Sequence, residues 1–216
     1  MKVSIIIPYK NDRGFLGEAI SSAEHQENFK LGTDYEIIVQ HGGTLGENIN
    51  EAIKKTNGEF IKILADDDLL APGCLKDLYE FAIQGGYDFV CADSYTFEGK
   101  LKVIETVCSE IPYTVSKLAE GNTIHGGTIL YRKSKFPTWD VSHWTAEEYD
   151  VTLQMAAAGC KFGKLDKVVY WYRSHAKQKS IIYRFSEDGK LAVKRIHYIR
   201  DEISAPYLYN RSRIVR

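Results

Sequence analysis

Hydrophobic residues along this chain of 216 residues fall in short, β-branched runs separated by stretches of helical spacing. Residues 3–7 are a buried-strand run that ends at Pro8, where the backbone loses a donor. After a polar loop, Phe15, Ala19, Ile20 and Ala23 predict a helix over residues 14–26. Residues 35–39 predict a second strand, residues 41–44 a turn, and residues 48–56 a second helix stopped by Asn57-Gly58. A third strand over residues 60–64 runs straight into Ala65-Asp66-Asp67-Asp68. Pro72 opens a third helix over residues 73–84, closed by Gly85-Gly86, and residues 87–92 give a fourth strand.

This alternation implies an α/β fold with a mainly parallel sheet and helices on both faces. Past residue 92 the pattern changes. Residues 94–107 predict a hairpin with Glu98-Gly99 at its turn, residues 126–131 a strand, and residues 146–158 an amphipathic helix ended by Gly159. Residues 168–172 predict a strand and residues 186–202 a terminal helix. With no repeat, low-complexity tract or clear linker, a single domain is expected. Its binding half ends near residue 95, a mixed half covers residues 96–180, and a helical tail covers residues 181–216.

Charge narrows the classes of partner. Lys plus Arg number 28 and Asp plus Glu 29, for a net charge of -1, which argues against broad electrostatic capture of nucleic acid. The longest apolar run near the N-terminus, residues 3–8, is too short to span a bilayer and has no cleavage site after it. Cys74, Cys91, Cys108 and Cys160 form no C-x-x-C pair and read as reduced, mostly buried thiols of a cytoplasmic protein.

Ligands of an open parallel sheet bind beyond the carboxyl ends of its strands. Residues 8–12, 40–44 and 66–68, and Asp93, fall at such ends in this reading. Three adjacent carboxylates repel one another unless a cation compensates, and their hard oxygens suit Mg²⁺ or Mn²⁺. The competing reading is a solvated turn capping the helix after Pro72. Glu147-Glu148-Tyr149-Asp150 opens a helix, where acidic residues complement the macrodipole. Glu147 and Glu148 point roughly 100° apart, so one can also face a cleft as a general base. His175, two residues after Arg173, is either structural or a contact to metal or phosphate.

Taken in order, five segments resemble inverting GT-A glycosyltransferases of family 2. They are residues 3–11, the acidic stretch 60–72, Gly126-Gly127-Thr128-Ile129-Leu130-Tyr131-Arg132, the helix 147–159, and Tyr170-Trp171-Tyr172-Arg173-Ser174-His175. The resemblance implies a GT-A fold and a nucleotide-sugar-dependent transferase. It puts Pro8, Tyr9, Asn11 and Asp12 in the nucleoside pocket. It puts Asp66 and Asp67 at the donor diphosphate, with a Mn²⁺ or Mg²⁺ ion held by Asp68, Asp66 and His175. Glu148 falls on the family's catalytic Asp, which deprotonates the acceptor hydroxyl. Gly127, Glu147 and Trp144 fall on the acceptor side, and Trp139 and Trp144 either stack on a sugar or pack. Three departures stand out. Gln40-His41-Gly42-Gly43 replaces acidic residues, although Gln40 can bond a uracil or thymine edge. Ala65 replaces the first Asp of D-x-D-D, with Asp66 as its substitute. Glu147-Glu148 replaces Glu-Asp.

The implied partners are a nucleotide-sugar donor, UDP-linked above others, and a glycan or glycoprotein acceptor, without nucleic acid or a transmembrane segment. The chain is short for the family, and modules of this kind occur in multidomain transferases of large algal viruses. A module of a longer polypeptide, in a host cytoplasm were it viral, is therefore part of the reading. A sugar-nucleotide-binding module without catalysis, or a nucleotidyltransferase, are the alternatives.

Overall fold

The protein, seen here in a computed structural model, is described over residues 1–99, 101–111, 114–142 and 146–178. The predicted terminal helix, the helical tail and Trp144 lie outside the described residues.

β1 (Val3–Tyr9) forms the centre of the first half, with β2 (Tyr35–His41) and β3 (Phe60–Ile63) parallel to it on either side. Its side chains alternate between two cores. Val3, Ile5 and Ile7 face α1 (Leu16–Glu24) and α3 (Cys74–Gly85). Ile6 faces α2 (Leu45–Ile53), α4 (Val115–Glu120) and α5 (Glu147–Ala157). Helices thus cover both faces, as the alternating pattern implies. β1 runs on through Pro8 because its pairing with β3 stops at Ile6 opposite Ile63. Pro8 pairs only with Gln40 of β2, so the missing donor interrupts nothing on the β3 side.

The helix expected from residue 48 begins three residues earlier. Thr44 and Glu47 form a reciprocal capping box that fixes the start at Leu45. Gly58 acts by close approach rather than as a helix cap. A Cβ there would lie 2.4 Å from the backbone nitrogen of Ser4.

The second half departs from parallel order. β7 (Leu130–Arg132) enters between β3 and β5 (Phe89–Glu98) and pairs antiparallel with both. β6 (Lys102–Val107) folds back on β5 as the expected hairpin, and β8 (Phe162–Arg173) runs parallel to β5. A two-residue strand, β4 (Leu69–Leu70), pairs antiparallel with β8 at the sheet's far edge. Residues 126–131 are not one strand: Gly126–Thr128 is a turn of 3-10 helix before β7. Asp93 lies inside β5, where it accepts from Ser109 N and pairs with Lys164, so it is not a strand-end group.

All four cysteines are free; Cys74 and Cys91 are buried, whereas Cys108 is exposed. Among the described residues, no helix is long and apolar enough to cross a membrane.

Candidate active site

The acidic trio sits where the chain leaves the parallel sheet. β3 ends at Ile63, Leu64 N still donates to Ile6 O, and a turn closed by Asp68 N and Ala65 O delivers Leu69 to β8. The three carboxylates therefore stand between the end of β1 and the end of β8, and all three are largely buried.

Each has its own partners. Asp68 accepts from Tyr170 Oη at 2.8 Å and from Arg173 N at 2.7 Å, so both its oxygens are engaged by β8. Burial and the Asp67 charge push its carboxyl up, to about 8, against those two donors. Asp66 Oδ1 and Asp67 Oδ2 lie 2.6 and 2.9 Å from the same guanidinium nitrogen of Arg13. Burial raises the Asp66 pKa and the Arg13 charge opposes it. His175 Nε2 is 3.0 Å from Asp67 Oδ2, while its Nδ1 receives Lys177 N. With Nδ1 accepting, a neutral ring carries its proton on Nε2 and donates to Asp67. Arg173 donates from Nε to the Asp67 carbonyl and pairs with Glu18, so its charge is neutralised within the fold rather than offered to a phosphate. Phe15 lies under both Arg173 and His175.

Among the described residues, no three acidic, histidine or cysteine side chains form a ready-made metal cage. A divalent ion that binds through one or two carboxylates plus substrate phosphates needs less. Asp66 Oδ1 and Asp67 Oδ2, already converging on one positive nitrogen, fit that smaller requirement.

The first loop lies beside this turn. The Tyr9 ring lies 4.8 Å from that of His41, tilted by 39°, and Asp12 Oδ1 accepts from Gly14 N, which shapes the loop that carries Arg13. Pro8 is buried and Asn11 exposed. Gln40 lines an open groove of about 510 Å³ with His41, Gly43, Asn48 and Val141. Its Oε1 accepts from Lys55 at 2.7 Å.

The acidic start of α5 meets this region through the glycine turn. Gly126 packs on Glu148: a Cβ there would come within 3.2 Å of the Glu148 Cβ and Cγ. Gly127 packs on Tyr170, where a Cβ would lie 2.4 Å from a ring carbon. The Tyr170 hydroxyl in turn reaches Asp68. Acidic turn and helix start are thereby linked through Tyr170, Gly127 and Gly126. Glu147 is buried at 5% exposure, whereas Glu148 is half-buried. Trp139 is 2% exposed and exchanges two hydrogen bonds with Asn50, so it is a packing residue rather than a sugar platform.

Two cations escaped the sequence reading. Lys62, fully buried on β3, donates to the carbonyls of Gly127 and Ile129 and lies 5.0 Å from the centre of the Tyr170 ring. Burial lowers its pKa to about 8. A lone lysine in the otherwise apolar run of residues 60–64 was its signal. Arg13 had a weaker one, a single cation three residues after the loop's Lys10.

Residues 39–139 match the family model described as Glycosyl transferase family 2. The chain is similar to the poly(ribitol-phosphate) beta-N-acetylglucosaminyltransferase TarP of Staphylococcus aureus, 30% identical over 127 residues that cover 46% of this chain and 38% of TarP. It is also similar to a chloroplastic myrcene synthase of Cannabis sativa, 21% identical over 208 residues that cover 93% of this chain and 32% of that one. The chain spans about a third of the length of these two curated relatives. Their named activities differ, and the family model agrees with the first. Among solved structures, S. aureus TarS 1-349 in complex with UDP-GlcNAc matches with a TM-score of 0.64 at 18% identity, over 98% of this chain and 72% of that one. At that identity the likeness carries the fold, and the fold too agrees with the family model.

Proposed function

We propose that this chain, a member of glycosyltransferase family 2 with the GT-A fold, moves a sugar from a nucleoside-diphosphate sugar to a hydroxyl of a glycan acceptor, inverting the anomeric centre. The observation that carries this reading is the continuous line of contact from Asp68 through Tyr170, Gly127 and Gly126 to Glu148. It connects a cluster of carboxylates suited to a diphosphate-bound cation with a half-buried carboxylate suited to a base.

Glu148 accepts the proton of the acceptor hydroxyl while that oxygen attacks the anomeric carbon. The bond from this carbon to the diphosphate oxygen breaks, and the nucleoside diphosphate leaves with the electron pair. A single displacement inverts the centre. Asp66 and Asp67 would hold a Mn²⁺ or Mg²⁺ ion, with His175 bonded to Asp67 and Asp68 tying the turn to β8. Such an ion, when bound, neutralises charge growing on the leaving diphosphate. Pro8, Tyr9, Asn11 and Asp12 would line the nucleoside seat, next to the groove that Gln40 and His41 line. Gly127 and the buried Glu147 shape the acceptor side, to which Trp144 belongs by sequence position.

A UDP-sugar is the favoured donor, with UDP-N-acetylglucosamine first because the TarS structure of the same fold holds it. The test is a thermal-shift panel of UDP-, GDP- and dTDP-sugars with Mn²⁺. A specific donor stabilises the native state by mass action, and one present at about 100 times its Kd adds roughly 2.7 kcal/mol. Stabilisation by UDP-sugars alone is expected. No response to any nucleotide would overturn the reading.

A further inference from the structure

Asp66 and Asp67 already have a cation in the free protein. One guanidinium nitrogen of Arg13 lies 2.6 Å from Asp66 Oδ1 and 2.9 Å from Asp67 Oδ2. Those are the two oxygens that a divalent ion would need. Among the described residues, no other Lys or Arg side chain pairs with these oxygens: Arg173 is paired with Glu18, and His175 Nε2 bonds to Asp67 Oδ2. A guanidinium stays protonated throughout the working range, so it cannot yield its place by losing charge. A divalent ion a few ångströms away would repel it. Arg13 must therefore move for the ion to bind.

The loop permits that movement. The Arg13 side chain keeps 26% of its exposure. Its other hydrogen bond among the described residues, to the Lys177 carbonyl, is a long 3.3 Å. Gly14 beside it has φ +93 and open space where a Cβ would be. A released guanidinium at this rim presents a planar fork that matches two phosphate oxygens.

We propose that Arg13 is an exchangeable counter-cation: it neutralises Asp66 and Asp67 in the free protein, is displaced by the divalent ion, and then binds the donor's diphosphate. This rests on the reading of the acidic turn as the seat of that ion. It makes Arg13 a competitor of the metal and an ally of the nucleotide. A residue that merely supports the loop would help both or neither.

The experiment is calorimetry, with the free Mn²⁺ signal in electron paramagnetic resonance as a second readout, on the wild-type chain, Arg13→Gln and Arg13→Lys. Without nucleotide, Arg13→Gln is expected to bind Mn²⁺ roughly tenfold more tightly, because a positive charge has left the site. At saturating Mn²⁺ it is expected to bind UDP roughly tenfold more weakly. Arg13→Lys keeps the charge and should stay near wild type for Mn²⁺; it also supplies the comparison should the glutamine variant fold poorly. Mn²⁺ affinity that is unchanged or weaker in Arg13→Gln overturns the exchange, as does unchanged UDP affinity. If wild type and variants all fail to bind Mn²⁺ even with UDP present, the cation reading itself is wrong and the exchange falls with it.

Discussion

Tyr170 donates its hydroxyl hydrogen to Asp68 Oδ2 across 2.8 Å, joining the last strand of the sheet to the acidic turn. The same hydroxyl receives Ala65 N at 3.3 Å, so it closes the turn from both ends. Tyr170→Phe keeps the ring on Gly127 but leaves a buried carboxylate oxygen and a buried amide without this partner. The expected loss is roughly 1–3 kcal/mol of folding stability, seen as a lower urea midpoint at unchanged slope. An unchanged midpoint would mean that the turn does not depend on this bond.

Gly127→Ala should cost more than Gly126→Ala. The added methyl at position 127 would meet the Tyr170 ring at 2.4 Å, well inside contact distance. At position 126 it would meet Glu148 at 3.2 Å, which a small side-chain shift relieves. Overpacking of this sort costs roughly 1–3 kcal/mol, so Gly127→Ala should fall in that range while Gly126→Ala stays near its lower end. Gly126→Ala should instead show itself in turnover, because the side chain it displaces is the proposed base. Thermal melts of the two variants, alongside donor turnover, check both statements.

Acid should weaken the fold through His125. Its Nδ1 is buried without a hydrogen-bond partner among the described residues, and burial, followed by the Lys62 charge, lowers its pKa from 6.5 to about 4. The ring stays neutral in the fold while the unfolded chain takes up a proton as pH drops through 6.5. Its contribution is therefore intact above that pH and lost as pH falls towards 4. The loss is on the order of 2–3 kcal/mol at pH 4.5. Because other groups titrate in the same window, the test compares wild type with His125→Gln at pH 7 and pH 4.5. Wild type should lose more stability on acidification; an equal loss would refute the shift.

Local pattern made the first half of the fold legible. Residues 1–92 alternate strand and helix by periodicity alone, and both cores follow from the period of two along β1. What stayed hidden depends on distant pairing. Nothing near residues 130–132 says that β7 will slide between β3 and β5, because that order is set by tertiary packing. Pro8 looked like a terminator, but whether a proline ends a strand depends on which neighbour needs its donor, and β3 stops before it. At the site, the acidic turn stood out by chemistry and position, whereas the choice of Glu148 over Glu147 and the weight given to His175 came from the family resemblance. Tyr170 carried no signal beyond its place in the segment of residues 170–175. Its role, like that of Lys62, arises from contacts across more than 60 positions of chain.

The proposed division of labour, with Glu148 taking the acceptor proton and other residues holding the donor, is separated into its parts by Glu148→Gln. The substitution keeps size and hydrogen bonding but cannot accept that proton. Steady-state transfer from UDP-N-acetylglucosamine with Mn²⁺, paired with calorimetry of donor binding, should show kcat reduced by roughly 10²–10⁴ and donor affinity within a few-fold of wild type. Full turnover in the variant would contradict the account.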